Sequence, residues 1–324
     1  MSARTARPGP VALGLLVDRL VGEPPAALHP VVRFGTAMDR LEGRWWADRR
    51  GPGVRYTALG VGAALVIGAL CEELLGEAIA LTTAVSFASA GRALTGAAET
   101  VAQRLRAGDL AGARRALPSL VGRDPSELGE SEIARAVVES LAENLSDAVV
   151  ATALWGLLGG APGALAHRAS NTLDAMVGHL DTRYARFGWA AARLDDVLGW
   201  PAARATAVLV ALAVPRRATA VWRACRVDAV GHPSPNAGVA EAAFAAALDL
   251  RLGGTNRYGS NEETRPRLGS GASPTEPDIG RAIALVRRTT TALELVLAGA
   301  WLAARLGRPG PSTVPVPSAA GVRP

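Results

Sequence analysis

The chain has 324 residues, of which 49% are hydrophobic and only 20% are charged, and its mean hydropathy is +0.19. A soluble domain usually carries about a quarter charged residues, so this composition favours contact with a membrane. The 35 lysine and arginine residues are all arginine, which excludes a P-loop ATP site and lysine Schiff-base chemistry. Aromatic residues amount to 4%, and no basic stripe interleaved with aromatics occurs, which argues against nucleic-acid binding.

The first third of the chain predicts apolar helices. An apolar run ends at Val17 without a cleavage signal, so we predict a helix that stays in the protein rather than a signal peptide. A proline-punctuated loop follows and reaches His29. Two uncharged runs, residues 56–71 and 78–91, then predict either a helical hairpin in the bilayer or a buried pair of core helices.

The remaining apolar runs complete an all-α prediction. The best candidate for a membrane span is residues 148–166, and its Gly159-Gly-Ala-Pro-Gly163 segment predicts a break or bend in that helix. Residues 205–214 are too short to span alone, and residues 289–304 form the last candidate. We therefore predict a polytopic helical membrane protein with one domain over residues 1–306. Its polar, site-bearing segments lie at about 91–147 and 167–288, and residues 307–324 form a disordered tail.

Three acidic residues begin the list of candidate site residues. Glu139, Glu143 and Asp147 lie at i, i+4 and i+8, a spacing that places them on one helical face with Asn144 beside them. Like charges repel at this spacing, and the stripe runs directly into the longest apolar segment. Their hard oxygen ligands suit Mg²⁺. The alternative is an exposed acidic stripe paired with Arg135 and other arginines.

Two further polar clusters follow the 148–166 run. His167, Asn171 and Asp174 fall on one helical face and predict a line of side chains facing a metal or a phosphate. The alternative is a capped, amphipathic surface helix. In the next segment, Arg193 with Asp195 and Asp196 combines a phosphate-binding fork with carboxylates that suit a metal, although local ion pairing explains the same residues.

A fourth cluster lies near the end of the polar region. The Ser234-Pro-Asn-Ala-Gly turn opens a helix, with Glu241 in its second turn, and such a turn presents N–H groups to an anion. Gly253 and Gly254 allow close approach of the backbone to a ligand. A bland loop explains any one of these features. His29, near a turn, is more often a structural histidine than a catalytic one.

Taken in order, these segments resemble the CobD/CbiB family of cobalamin biosynthesis, the adenosylcobinamide-phosphate synthases. Each motif is unspecific alone, but the combination is specific and covers roughly residues 15–290. The stretches that carry the resemblance are Asp18-Arg-Leu-Val-Gly-Glu-Pro-Pro, His29-Pro-Val, Gly91-Arg-Ala-Leu, Val121-Gly-Arg-Asp124, Arg135-Ala-Val-Val-Glu139, Ala142-Glu-Asn144, Gly159-Gly-Ala-Pro-Gly163, Asn171-Thr-Leu-Asp174, Met176-Val-Gly178, Arg183-Tyr184, Phe187-Gly188, Ala192-Arg-Leu-Asp-Asp196, Ser234-Pro-Asn-Ala-Gly238 and Leu252-Gly-Gly254 with Asn256 and Tyr258.

The resemblance implies a multi-pass protein of the cell membrane, and substrates made in the cytosol favour an active site that faces the cytoplasm. It implies an acid-amine ligase that uses ATP and Mg²⁺ to join the propionate carboxylate of adenosylcobyric acid to (R)-1-amino-2-propanol or its O-phosphate. The product is adenosylcobinamide or its phosphate. Expected partners are the corrinoid, the amine, membrane lipid and other enzymes of the same pathway at the membrane, with no nucleic acid.

Within that reaction, residue chemistry suggests three roles. The hypothesised catalytic residues are Glu139, Glu143, Asn144, Asp147 and Arg193. The hypothesised metal ligands are Asp174, Asp195 and Asp196. The hypothesised substrate-binding residues are His29, Asn171, Arg183, Ser234, Asn236, Glu241, Gly253, Gly254, Asn256 and Tyr258. Two other classes remain open on the sequence: an intramembrane Mg²⁺-dependent prenyltransferase, and a small-solute transporter with broken helices.

Overall fold

A computed structural model describes residues 7–122, 124–179, 181–258 and 261–306, with the backbone alone for 255–258 and 261–264. Helices make up most of these residues, and the one regular sheet among them is a two-stranded hairpin, which confirms the all-α prediction. In chain order the helices are α1 (Pro8–Val21), α2 (Pro30–Trp45), α3 (Arg50–Leu75), α4 (Glu77–Ala88), α5 (Gly91–Arg106), α6 (Leu110–Ala116), α7 (Glu130–Asn144), α8 (Ala151–Val177), α9 (Trp189–Ala213), α10 (Ala218–Val227), α11 (Ala237–Leu248) and α12 (Glu276–Leu306). The predicted tail at 307–324 lies outside the described residues.

Within the described ranges, three helical segments are long and apolar enough to cross a membrane: Arg50–Leu75, Glu130–Val177 and Trp189–Ala213. The predicted runs at 56–71 and 148–166 lie in the first two. The run at 205–214 becomes long enough because its helix begins earlier, at Trp189, and continues through charged residues. Large apolar side chains along α3 are exposed, as expected for a surface that faces lipid. Of the other two predicted runs, 289–304 falls inside α12, while 78–91 covers α4 and the start of α5; none of these helices is among the three.

The predicted break in α8 is a reversal of chain direction at Gly160. Gly160 has φ 67° and ψ −155°, a conformation that only glycine adopts readily. A Cβ atom on Gly163 would clash with the carbonyl oxygen of Trp155, although a straight helix would separate these residues by about 12 Å along its axis. The segment is therefore an outgoing arm (residues 151–159) and a returning arm (residues 161–177) packed side by side.

Side chains from other helices satisfy the backbone groups that this reversal leaves open. The Glu72 carboxylate accepts a hydrogen bond from the Ala161 N–H at 2.7 Å and so caps the returning arm. Arg7 donates to the carbonyl of Leu158 at 2.7 Å, at the end of the outgoing arm, and pairs with Glu77 at 2.6 Å. The reversal is thus a built feature of the fold, stabilised from α1, α3 and α4.

A π-helical turn at Leu145–Val150 joins α7 to the outgoing arm. Such turns are rare in proteins and occur frequently at functional sites, because they re-aim the side chains that follow them. Asp147, which the sequence analysis places on the face of a regular α-helix, lies within this turn. The helix geometry at Asp147 therefore differs from the prediction.

The bundle has two distinguishable ends. At the end that we call the arginine-rich end, the Arg50 guanidinium lies 4.9 Å from the Trp189 ring centroid, next to the C-terminus of the returning arm. Arg183 and Arg186, in the loop between the returning arm and α9, lie at the same end, where they pair with Glu42 and Asp48. The opposite end, which we call the Gly160 end, holds the reversal, the C-terminus of α3 and Arg7.

Helix α12 links the apolar bundle to a second layer, which consists of α5, α6 and the hairpin and which we call the polar layer. Its C-terminal half packs on α1, where Arg19 bonds Thr291 at 2.9 Å and Glu294 at 3.2 Å. Its N-terminal half continues past the end of α1 and meets α5, where Glu276 pairs with Arg106 at 2.7 Å. A helix of 31 residues is about 46 Å long, enough to serve both layers. The polar layer therefore lies beyond the arginine-rich end.

The hairpin of β1 (Leu252–Tyr258) and β2 (Asn261–Leu268) belongs to this layer, where the sequence predicts only a loop. Gly253 and Gly254 both have positive φ, and the register shifts between Leu252 and Gly254. The run therefore lacks the period-two alternation that identifies a strand from sequence, because the bulge interrupts it.

Candidate active site

Four carboxylates converge where the outgoing and returning arms pass α9. Asp147 in the π-helical turn interacts electrostatically with Asp195 of α9, with Glu143 of α7 and with Asp174 of the returning arm. A straight helix would hold Asp147 and Asp174 about 40 Å apart, so the reversal at Gly160 is what brings them together. We call Glu143, Asp147, Asp174 and Asp195 the acid group. All four side chains are half-buried, which leaves access for a small ion or ligand.

Two residues that sequence reasoning did not single out belong to the same place. Arg168, on the returning arm, interacts electrostatically with Asp147, Asp195 and Glu23. Glu23 enters from the proline-rich loop after α1, where it also lies 3.5 Å from the Nε2 atom of His29. The one available signal is position: Arg168 lies three residues before Asn171, on the face that already carried a predicted polar line.

Asn171 connects the returning arm to α9. It accepts a hydrogen bond from Arg168 at 3.3 Å, and its side chain also contacts the Asp195 carboxylate. The predicted line of Asn171 and Asp174 therefore faces the acid group. His167, the third member of that predicted line, is buried at 1% exposure, and its Nδ1 atom has no partner among the described residues.

The oxygen donors of the acid group are of the type that binds a hard divalent cation, but the distances between the side chains do not yet match a metal site. Carboxylate oxygens are the ligands that Mg²⁺ prefers, and Oδ1 of Asp195 is buried without a hydrogen-bond partner among the described residues. Yet no three acidic, histidine or cysteine side chains in the described ranges lie close enough to form one metal-binding group. Asp147, Asp174 and Asp195 fit Mg²⁺ by donor type, since this ion keeps several waters or substrate oxygens of its own.

Glu139 has a different role from the rest of the predicted stripe. It is 4% exposed, and its carboxylate accepts a hydrogen bond from the Gly253 N–H at 2.9 Å. Arg135 donates to the carbonyl of the same glycine and lies 3.9 Å from Glu139. Of the predicted stripe, Glu143 and Asp147 act on each other, whereas Glu139, one turn earlier on the same regular helix, bonds the hairpin instead. Glu139 faces the hairpin backbone.

Ser234 and Asn236 hold backbone segments in place. The Ser234 hydroxyl accepts from the Ala237 N–H at 3.1 Å and so caps α11. The Asn236 amide donates to the carbonyl of Asp196 at 2.9 Å and accepts from Arg204 at 3.2 Å. Ser234 thus holds the turn that opens α11, and Asn236 fixes that turn against the segment of α9 that carries the acid group.

Glu241 lies in the interior behind the same segment. It is 1% exposed, and its carboxylate lies 3.7 Å from the Nε2 atom of His232, whose side chain is equally buried. A Cβ atom on Gly238 would contact the His232 ring, so the glycine of the predicted turn makes room for this pair. Asn144 bonds the Ser140 carbonyl one turn earlier on its own helix at 2.9 Å. The side chains of Asn256 and Tyr258 lie outside the described residues.

The two arginines predicted to bind phosphate have protein partners. Arg183, 53% exposed, donates to Glu42 at 2.8 Å and stacks on Trp46, and the hydrogen bond from Arg183 to Glu42 raises the pKa of the guanidinium. Arg193, 68% exposed, pairs with Asp196 at 3.2 Å. The alternative of local ion pairing, given above for Arg193, thus describes that residue, and Arg183 is likewise paired. His29 caps α2 by accepting the Val31 N–H at 3.2 Å.

Asp18 is a buried carboxylate at the border of the site. Its Oδ2 atom accepts the Gly91 N–H at 2.9 Å, which caps the N-terminus of α5 from another helix. Burial raises the pKa of Asp18 to about 6, the hydrogen bonds from the backbone of Gly91 and Arg92 oppose this rise, and the charge of Glu23 adds to it. Asp18 and Glu23 therefore extend the negative charge of the acid group towards α1.

An apolar groove of about 1000 Å³ lies elsewhere, between α1, α4 and α12. Leu13, Ile79 and Leu295 line it, and all three are more than half exposed. The groove contains no residue of the acid group, so the chemistry and this cavity are separate.

Comparison with known proteins gives a consistent result. The family described as "CobD/Cbib protein" matches residues 11–286. A relative from Mycobacterium tuberculosis H37Rv is 46% identical over 86% of this chain and 90% of its own length. Relatives from Chromobacterium violaceum (42%, covering 91% of this chain and 93% of their own) and Rhodobacter capsulatus (41%, 89% and 94%) are similar. All three carry the name "Cobalamin biosynthesis protein CobD". No solved structure matches significantly.

Proposed function

This chain belongs to the CobD/CbiB family, and we propose that it is a membrane enzyme of cobalamin biosynthesis that makes an amide. The proposed reaction joins the propionate carboxylate of adenosylcobyric acid to the amine of (R)-1-amino-2-propanol or its O-phosphate, with hydrolysis of ATP. The product is adenosylcobinamide or its phosphate.

The acid group supports this proposal most strongly. Like charges that share a half-buried site raise the free energy of the folded protein, so they are retained where a cationic ligand compensates them. Glu143, Asp147, Asp174 and Asp195 come from three separate segments, and the reversal at Gly160 is needed to bring Asp174 to the others. The reaction supplies cations of the required kind: an ammonium group and a divalent metal.

We assign the proton transfer that the reaction needs to the acid group. The amine reaches the enzyme as an ammonium ion and must lose a proton before its lone pair can attack. A carboxylate oxygen of Glu143 or Asp147 accepts the hydrogen bond of the ammonium and then takes the proton. The nitrogen attacks the activated carboxyl carbon, most simply an acyl phosphate, and phosphate leaves as the C–N bond forms.

Activation of the carboxylate needs ATP, since a carboxylate is a poor electrophile at neutral pH. Mg²⁺, when bound, neutralises phosphate oxygens and the charge that develops on them. Oxygen atoms of Asp174 and Asp195 are the side-chain ligands that we assign to it. Asn171 orients Asp195 by its side-chain contact.

The acid group lies towards the arginine-rich end, and this supports a cytoplasmic active site in the cell membrane. Loops near membrane helices carry an excess of arginine on the cytoplasmic side. The polar layer of α5, α6 and the hairpin lies beyond the same end. Corrinoid and nucleotide made in the cytosol would reach the site without crossing the bilayer.

Ligation by the purified protein is the direct test. We expect protein in detergent, supplied with adenosylcobyric acid, aminopropanol or its phosphate, and Mg-ATP, to form the amide, with one nucleotide hydrolysed per amide, read by mass spectrometry. Nucleotide hydrolysis without amide, or neither product, would contradict the proposal. Release of pyrophosphate from a prenyl diphosphate would indicate the prenyltransferase instead, and solute flux without phosphate release would indicate a transporter.

A further inference from the structure

Arg168 lies among the carboxylates of the acid group but forms no ion pair with them in the described structure. The other arginines discussed above have protein partners. Its Nε atom is buried and makes no hydrogen bond among the described residues. Asp147, Asp195 and Glu23 act on it electrostatically, but the described residues include no ion pair between its guanidinium and any of them. In the part of the chain that the structure describes, its side chain forms one hydrogen bond, to Asn171 at 3.3 Å.

This arrangement leaves donors of a planar guanidinium available in a site that otherwise attracts cations. A guanidinium has five N–H donors arranged to meet the two oxygens of a carboxylate or phosphoryl group. A half-buried arginine that served only as an internal counter-ion would form a close bidentate pair with one of its carboxylates. The returning arm instead holds Arg168 near three of them without such a pair.

The protein offers few other choices for an anion. It has no lysine, so any direct side-chain contact with an oxyanion at neutral pH falls mainly to arginine. Arg183 and Arg193 are largely exposed and are bonded to Glu42 and Asp196. Arg168 faces the carboxylates that would receive the ammonium and the metal.

We propose that Arg168 binds an oxyanion of the substrates at the point of amide formation: the reacting corrinoid carboxylate or the phosphoryl group that activates it. This assignment rests on the proposed function. Glu23 has a second neighbour in His29, 3.5 Å away, so it keeps a partner when the anion takes the guanidinium. The anion on Arg168 and the ammonium on the acid group are then adjacent, as bond formation requires.

The test measures binding rather than turnover. Equilibrium dialysis, read by the visible absorbance of the corrinoid, compares adenosylcobyric acid with the corrinoid whose free carboxylate is a primary amide. We expect the wild-type protein to prefer the acid by at least about tenfold, and Arg168→Gln to lose that preference. If Arg168 instead binds the phosphoryl group, Arg168→Gln keeps the preference and its affinity for ATP falls by at least about tenfold.

The matched control is Arg186→Gln, an exposed arginine at the same end that pairs with Asp48, and it should bind all three ligands as the wild type does. Unchanged binding of both the acid and ATP by a folded Arg168→Gln protein overturns the proposal. If that variant does not fold, Arg168→Lys replaces it, because lysine keeps the charge and loses the bidentate fork. Wild-type affinities in Arg168→Lys would then overturn the proposal.

Failure of the proposed function gives a different result. In that case the wild-type protein forms no amide from the complete substrate mixture, whichever residue stands at position 168. Failure of the Arg168 assignment leaves wild-type ligation intact and Arg168→Gln with wild-type affinities for both anions.

Discussion

Glu143 and Asp147 are the residues on which the proposed chemistry depends most directly. They belong to different helix geometries, since Glu143 ends α7 and Asp147 lies in the π-helical turn, yet their charges act on each other and on Asp195. Repulsion among these groups opposes folding, and removal of one charge relieves it. Function and stability should therefore respond in opposite directions to neutral substitutions here.

We predict that Glu143→Gln and Asp147→Asn each lower ligation by at least about 100-fold, the scale of a lost proton acceptor. The same variants should melt at or above the wild-type temperature, with a gain on the order of 1 kcal/mol. Initial rates and thermal melting in detergent provide both measurements. Glu130→Gln, on the exposed first turn of α7, is the control and should change neither. Wild-type turnover in both site variants would refute the placement.

Asp18 gives a prediction about pH. Its native pKa of about 6 lies above the ordinary value of 3.8, so the unfolded chain releases this proton at a lower pH than the folded protein does. The associated stability is fully present below pH 3.8 and is lost as the pH rises through 6. A shift of this size corresponds to about 3 kcal/mol.

Asp18→Asn cannot titrate, and its amide oxygen can still accept the Gly91 N–H. We therefore expect the melting temperature of Asp18→Asn, relative to the wild type, to rise between pH 4 and pH 7. Thermal melts of both proteins across this range measure the difference, in which the other titrating groups cancel. A difference that stays flat, or falls with pH, would show that Asp18 is not protonated more readily in the folded protein.

At the scale of elements, the reversal at Gly160 decides whether the site exists. Without it the outgoing and returning arms would form one long helix, and Asp174 would lie far from Asp147. The cap from Glu72 to the Ala161 N–H is the contact that substitution can remove most cleanly.

We predict that Glu72→Ala destabilises the protein by about 1 kcal/mol, the usual effect of losing a helix cap. Glu73→Ala removes the neighbouring, exposed acid and should stay within about 0.5 kcal/mol of the wild type. Thermal melting in one detergent compares the two. Equal effects of the two variants would mean that the Glu72 carboxylate does not hold the reversal.

The sequence predicts the apolar helices and the break in α8 well, because both depend on local composition. The segment Gly159 to Gly163 predicts a break in the helix. A bend and a full reversal have the same sequence signal, and only the packing of the arms against α3 and α4 determines which of the two forms. The π-helical turn has no residue pattern of its own. Helical spacing correctly makes Glu139 and Glu143 neighbours on α7, but it cannot show that Glu139 bonds the Gly253 N–H while Glu143 belongs to the acid group.

The sequence predicts which types of residue form the candidate site better than it predicts which individual residues belong to it. Asp147, Asp174, Asp195 and Asn171 were identified because acids and amides at helical spacing beside apolar runs are conspicuous. Arg168 and Glu23 were missed, since a single arginine in a chain with so many is not distinctive. Ser234, Asn236 and Glu139 were selected by the same chemistry, yet they bond to backbone, and only tertiary contacts reveal that.

For the whole molecule, the distribution of charge predicts an orientation. Arg50, Arg183 and Arg186 lie at the arginine-rich end, while Arg7 at the Gly160 end is bonded to Glu77 and to backbone carbonyls. An excess of arginine marks the cytoplasmic side, so Arg186 and Glu73 should lie on opposite sides of the membrane. Arg186 would face the cytoplasm and Glu73 the outside.

Single cysteines test this orientation after both native ones, Cys71 and Cys225, are replaced by serine. In intact spheroplasts we expect a membrane-impermeant maleimide to label Glu73→Cys and to leave Arg186→Cys unlabelled until the membrane is opened by detergent. Inverted vesicles should give the reverse pattern, which also controls for differences in intrinsic reactivity. Labelling of both cysteines from one side would mean that α3 does not cross the bilayer, and the exchanged pattern would place the acid group outside the cell, away from cytosolic ATP.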